Sequence, residues 1–288
     1  MDNFEKRMWL EYTLKLLEEI DVDSYQFSNF YDCLRNKLRF RKRNLNFKKR
    51  SDEKKFKEEF KLDIEKKLSK IKPQKTITED KFLYLKEMYN LDEVEYKMMV
   101  YHTLREINKM FMRMEDSITS HELNFGIDYL GLKVFESKEK MDSLIKRGIM
   151  TKEDDYLRSN PCNPSLQIIK VFESTSKIED IKTIMLGEPQ KSTLKWSDFE
   201  HLGNEREIVQ RLLTSAVKTK AKGINILLYG GVGTGKTEFA KLVANKSKIN
   251  QYMVASQLDN VEATRSGRLH DLLSKQNILS KIGNACIL

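Results

Sequence analysis

The 288-residue chain is poor in the residues that fix architecture by cross-linking: it has three cysteines and four histidines. Cys33, Cys162 and Cys286 are odd in number and far apart, which argues against a disulfide framework and a local metal site and leaves small apolar thiols in a reducing compartment. His102, His121, His201 and His270 form no pair at i, i+4 and sit beside no candidate nucleophile, so each reads as structural. Long apolar runs are missing too, which excludes a membrane span and, with 33% charged residues, points to a soluble chain. The first helical pattern, with Phe4, Met8, Tyr12 and Leu16 on one face, carries Glu5, Lys6, Arg7 and Glu11, which excludes a secretory signal core and makes a cytoplasmic address the expectation. No internal repeat is present, and the length suffices for two domains.

The net charge of +9 is concentrated in one place. Residues 35–75 hold 18 Lys and Arg against 6 Asp and Glu, a balance of +12, so the remainder of the chain carries −3. Lys and Arg neutralise phosphates and release counterions, so this segment, and Arg35 to Arg50 above all, is a candidate nucleic-acid contact. The other reading stays open beside it. From Ser51, a candidate N-cap followed by Asp52 and Glu53, the residues Phe56, Phe60, Ile64, Leu68 and Ile71 recur at helical spacing until Pro73. Much of the charge is then the wet face of an amphipathic helix, or a face for a protein partner.

Glycine is scarce in residues 1–190, which read as a mainly helical region ending in the linker Leu186 to Thr193. Asp92 with Glu95 forms a capping box for a helix reaching about Met114, preceded by another from near Thr78. The stripe Met98, Met99, Tyr101, His102, Met110, Phe111, Met112 and Met114 has core spacing. Ser137 to Arg158 reads as a short helix, Gly148 as its C-cap, and a small hairpin around Lys152 to Asp155. That pattern resembles a winged-helix module over residues 120–172, with Lys138, Lys140, Lys146 and Arg147 supplying charge on the helix.

Residues 191–288 carry the chemistry. Ile224, Ile226, Leu227 and Leu228 are the apolar run expected of a strand buried on both faces of a parallel sheet. It leads into Gly230, Gly231, Val232, Gly233, Thr234, Gly235, Lys236 and Thr237, the phosphate-loop spacing G-x-x-x-x-G-K-[ST], and then into a helical face of Phe239, Ala240, Leu242 and Val243. Glycine lets backbone N–H groups approach phosphate oxygens closely, and a helix beginning near Lys236 adds its positive dipole end. The Lys236 ammonium then reaches the terminal phosphates, the Thr237 hydroxyl holds Mg²⁺, and Glu238 follows directly in the first turn. The binding residues expected for ATP with Mg²⁺ are thus 230–238, with Thr237 at the metal.

Trp196 to Gly203, the helix Glu205 to Thr219, the stretch Asn225 to Ala244 and the strand Tyr252 to Ser256 together resemble the start of a bacterial AAA+ ATPase module, over about the last third of the chain. The resemblance implies an α/β fold, an incomplete P-loop NTPase domain at the C-terminus preceded by the helical region. It implies His201, Leu202 and Gly203 beside the adenine, and relatives that hydrolyse ATP as homo-oligomeric rings to remodel a partner. Where AAA+ unfoldases carry an aromatic pore loop, Gln257 to Leu273 has no aromatic residue. The family's next motif is an apolar strand followed by two acids, and Ala285 to Leu288 match the strand alone. The expectation is a product truncated before the Walker B acids, the sensor and the arginine finger, with the 224–228 and 285–288 strands not neighbours, and without hydrolytic activity. Two rivals remain: a nucleic-acid-binding or protein-interaction module in the basic helical region, and a phosphate-loop kinase or GTPase, although no guanine-type NKxD motif is present.

Overall fold

The computed structural model describes residues 2–19, 28, 31–32, 34–36, 39–40, 50–72, 75–108, 111, 134–152, 162–173, 177–221, 223–254, 257–258, 261–262, 264–282 and 284–288. The chain divides into two compact units, Met1–Ile178 and Glu179–Leu288. Residues 179–190, read from sequence as the end of the helical region, therefore go with the second unit.

The first unit contains α1 (Asn3–Glu19), α2 (Arg50–Leu68), α3 (Ile77–Tyr89), α4 (Glu93–Ile107), α5 (Val134–Lys146), β1 (Met150–Lys152), β2 (Cys162–Pro164) and α6 (Leu166–Glu173). Its axis is α4, in which every residue from Met98 to Leu104 is buried, so the helix is enclosed on all sides rather than on one stripe. It packs against α5, α6 and β2. The capping box is present: Glu95 N–H donates to Asp92 at 2.8 Å, and Asp92 N–H to the Glu95 carboxylate at 3.0 Å. In α2, Phe56, Phe60 and Ile64 are buried while the intervening Lys and Glu stay wet, so that amphipathic reading holds.

Met98, Met99, Tyr101, His102 and Phe111 are core, as their spacing suggested; Met110, Met112 and Met114 lie outside the described residues. His102 is 3% exposed, and its Nδ1 has no hydrogen-bond partner among the described residues. Burial drives its pKa down to about 3, and nearby Arg105 adds to the effect. A histidine whose folded pKa lies below its unfolded value contributes stability above about pH 6.5 that is lost as pH falls, at up to about 1.4 kcal/mol per pH unit. Urea midpoints of the first unit are expected to drop between pH 7.5 and pH 5, and His102→Leu to flatten that dependence. An unchanged slope in the variant sinks this account.

β1 pairs antiparallel with β2, Met150 opposite Pro164 and Lys152 opposite Cys162. Cys162 and Pro164 alternate into the core around half-exposed Asn163. The turn read at Lys152 to Asp155 and the piece after it lie, beyond Lys152, outside the described residues. Of the four cations expected on the winged-helix face, two are engaged within the unit. Lys140 pairs with Asp92 at 2.5 Å, and Arg147 is held by Glu95, Ser143 and the end of α3. Residues 120–133 lie outside the described residues.

The second unit holds α7 (Ile178–Leu186), a 3₁₀ helix (Trp196–Leu202), α8 (Asn204–Thr219), α9 (Lys236–Lys246), β3 (Asn250–Tyr252), β4 (Gln257–Leu258), β5 (Val261–Glu262), α10 (Arg265–Ile282) and β6 (Ala285–Ile287). The α/β expectation is overturned. The described residues are mostly helical, and their strands form only two-stranded ladders: β1 with β2, β3 with β6, and β4 with β5. The run 224–228, expected as a strand buried on both faces of a parallel sheet, has no ladder partner among the described residues, and Leu227 and Tyr229 are 85% and 89% exposed. A doubly buried parallel strand needs a neighbour on each edge and cover on each face. The short β3–β6 pair supplies neither to this run, so its apolar character alone cannot make it a strand. The ladder that forms is parallel, Asn250 opposite Ala285 and Tyr252 opposite Ile287, with α10 as the crossover. It is pinned by Lys275, which donates to Met253 O at 2.7 Å and pairs with buried Asp271 at 2.9 Å. No helix among the described residues is long and apolar enough to cross a membrane.

Candidate phosphate-binding loop

The 3₁₀ helix, α8 and α9 build a small apolar cluster. Phe199, Phe239 and Val243 are its buried centre, with Trp196, Leu202, Val209, Leu213, Leu228 and Leu242 packed around them. This cluster sits directly behind the loop that precedes α9. Gly235 shows the connection: its φ of 78° is the left-handed conformation that glycine adopts without strain, and a Cβ there would come within 3.2 Å of Phe199 Cε1. Any other residue at 235 would meet both backbone strain and the Phe199 ring.

Gly235 ends the loop and caps α9 without a side chain, and Phe239 N–H donates to Gly235 O at 2.8 Å. The N–H groups of Lys236, Thr237 and Glu238 therefore have no intrahelical acceptor and lie at the positive end of the helix. Within the loop, the Thr234 hydroxyl donates to Gly231 O at 3.0 Å. The Lys236 ammonium folds back over the same segment, donating to Gly231 O at 2.6 Å and Gly230 O at 3.1 Å, with Thr234 Oγ1 at 3.4 Å. Gly230, Gly231, Val232, Gly233 and Thr234 are exposed, as is Thr237, while Gly235 and Lys236 are half-buried. The structure thus brings residues 230–237 into one exposed loop opening onto a helix, with a lysine ammonium gathered at its centre.

Glu238 has a different setting from its neighbours. Its carboxylate accepts from the Ser192 hydroxyl at 2.9 Å, the Thr193 N–H at 3.2 Å and the Lys241 ammonium at 2.9 Å. Those hydrogen bonds, Lys241 first and Ser192 second, hold it below the usual carboxylate range. Leu186 to Thr193 was read from sequence as a linker, and the attachment of Gln190, Ser192 and Thr193 to α9 was missed. The signal was present as a polar stripe, Glu238, Lys241 and Asn245, at helical spacing on α9.

Among the residues that the resemblance placed at the adenine, Leu202 is packed into the Phe199 cluster, His201 is exposed, and Gly203 (φ 52°) links the 3₁₀ helix to α8. In the basic cluster, residues 37–38 and 41–49 lie outside the described residues, and Arg35 lies 3.4 Å from Asp32. For a divalent cation, the chemistry at hand is the exposed Thr237 hydroxyl at the start of α9, a neutral oxygen ligand that fits Mg²⁺ shared with phosphate oxygens. No protein-family model, no curated protein and no solved structure matches the chain.

Proposed function

We propose that the 230–237 loop binds the polyphosphate of ATP together with Mg²⁺. The observation that carries the reading is the junction itself: a glycine-rich loop runs into α9 at Lys236, with helix-start N–H groups that lack an intrahelical acceptor and the ammonium on one short segment. Lys236 contributes charge to the terminal phosphates, backbone N–H groups of the loop enclose the oxygens, and Thr237 shares the cation with them. ATP is the nucleotide implied by the resemblance of residues 196–256 to AAA+ ATPases; the α/β sheet core of that family is no part of the reading.

Binding proceeds without turnover. The carboxylate nearest the loop in sequence, Glu238, is taken up by Ser192, Thr193 and Lys241, and so is not offered to an attacking water. Titration of a fluorescent ATP analogue into the 288-residue chain is expected to saturate, to weaken on chelation of Mg²⁺, and to lose that metal dependence in Thr237→Ala. Phosphate release over hours is expected to stay at background. Absence of saturable binding overturns the proposal, and turnover that vanishes in the Lys236→Ala variant overturns the claim of binding alone.

A further inference from the structure

The segment before the 3₁₀ helix is not slack chain, because its polar groups are bonded in sequence to α9 and β3. Gln190 N–H donates to Gln251 O at 2.8 Å, and Gln190 O accepts from Asn245 Nδ2 at 3.3 Å. Ser192 N–H donates to Asn245 Oδ1 at 3.3 Å. The Ser192 hydroxyl and the Thr193 N–H converge on Glu238 Oε2, and Lys195 N–H donates to Asp198 at 2.8 Å, where the 3₁₀ helix begins. The strap therefore runs from a β-strand, along α9, into the element whose Phe199 ring supports Gly235. Its attachment nearest the phosphate loop is Glu238, one residue beyond Thr237.

We propose that residues 190–195 form a strap whose docking on α9 is coupled through Glu238 to occupation of the phosphate loop, each favouring the other. The inference rests on the phosphate-binding reading given above. A polyphosphate at the start of α9 places several negative charges close to the Glu238 carboxylate, and like charges in one helical turn repel. With the strap docked, that carboxylate is compensated by the Ser192 O–H, the Thr193 N–H and the Lys241 ammonium together. With the strap released, two of those donors are lost and the repulsion is felt in full. Strap release also withdraws the tether at Lys195 from the element that carries Phe199, loosening the support under Gly235. Both effects make nucleotide binding weaker in the released state. By reciprocity, bound nucleotide must hold the strap down by the same factor. Glu238 is thus a positioning residue that acts through the strap.

Amide hydrogen exchange on the full chain, read at residues 190–195 with and without saturating Mg²⁺–ATP, tests the proposal. In the wild type, nucleotide is expected to slow exchange of the Gln190, Ser192 and Thr193 amides about fivefold or more, the lower end of ordinary coupling between sites. Glu238→Ala, which removes the strap's anchor and the repelling carboxylate together, is expected to exchange rapidly at these amides in both conditions, with the response to nucleotide lost. Ser192→Ala, which keeps the carboxylate but removes one of its donors, is expected to speed exchange of the strap amides by less and to bind labelled ATP more weakly than the wild type. Its role survives even where Glu238→Ala fails to fold. If the wild type binds labelled ATP and its strap amides do not respond, the coupling is overturned while the loop keeps its ligand. If the strap still responds to nucleotide in both variants, Glu238 and Ser192 are not the link. If the wild type binds no nucleotide, the loop reading and the coupling fall together.

Discussion

Lys236→Ala abolishes measurable ATP binding in the expected result, a loss of at least about 100-fold, or about 3 kcal/mol, from removal of charge-assisted hydrogen bonds to phosphate. The side chain has two roles that alanine removes at once. In the structure its ammonium ties together Gly230 O, Gly231 O and Thr234 Oγ1. In the bound chain it is the one full positive charge that residues 230–237 offer the phosphates. The first role affects the loop alone, because the Phe199, Phe239 and Val243 cluster behind it contains no part of Lys236. Thermal unfolding should therefore shift little while binding disappears, and isothermal titration beside a melting curve separates the two. Equal affinity in wild type and variant would remove the phosphate assignment altogether.

Arg147→Ala is expected to cost the first unit about 3 kcal/mol, as breaking a buried ion pair typically does. Arg147 gathers three elements. Its guanidinium binds the Glu95 carboxylate, whose side chain is only 6% exposed, and the Ser143 hydroxyl at 2.8 Å. It also donates to Tyr89 O at 3.1 Å and Asn90 O at 3.4 Å, where α3 ends in a left-handed residue and its terminal carbonyls carry negative partial charge. Alanine leaves Glu95 buried with its charge uncompensated, retaining the Asp92 N–H as a donor. Urea unfolding of wild type, Arg147→Ala and the double variant Arg147→Ala/Glu95→Gln makes the test. The double variant should recover part of the loss because a neutral amide is cheaper to bury than a lone carboxylate. A single-variant loss under about 1 kcal/mol would show that the cluster behaves as an ordinary surface ion pair.

Features set by near neighbours in the chain were legible from the sequence. The Asp92–Glu95 capping box is a local exchange of hydrogen bonds over three residues, and it stands as read. The amphipathic face of α2 and the start of α9 after Gly235 are likewise decided within a turn or two of helix. The run at 224–228 was not, because a strand is defined by its partners. The same apolar letters serve a buried ladder or an exposed extended segment, and nothing within them records which neighbours are present. The pairing of β1 with 162–164 was not legible for a related reason: its partner is selected by which residues reach the core, a tertiary property. Glu238 was read among the binding residues from its place in the sequence, whereas its partners lie 45 and 46 residues upstream at Thr193 and Ser192.

The two tryptophans fall one to each unit, Trp9 in the first and Trp196 in the second, and their surroundings differ in kind. Trp9 is fully enclosed. Trp196 stacks on Phe239 with centroids 6.3 Å apart, beneath the Lys246 ammonium at 4.3 Å and beside the Arg206 guanidinium at 5.4 Å. Neighbouring cations and partial solvent contact are expected to give Trp196 an emission spectrum distinguishable from that of an indole in an apolar interior. Acrylamide is expected to quench half-buried Trp196 before enclosed Trp9. The chain therefore carries two separate optical channels, and Trp196→Phe silences one of them. Through the Phe239 ring, on the helix that Lys236 begins, the second channel is expected to register what happens at the glycine loop without any added label.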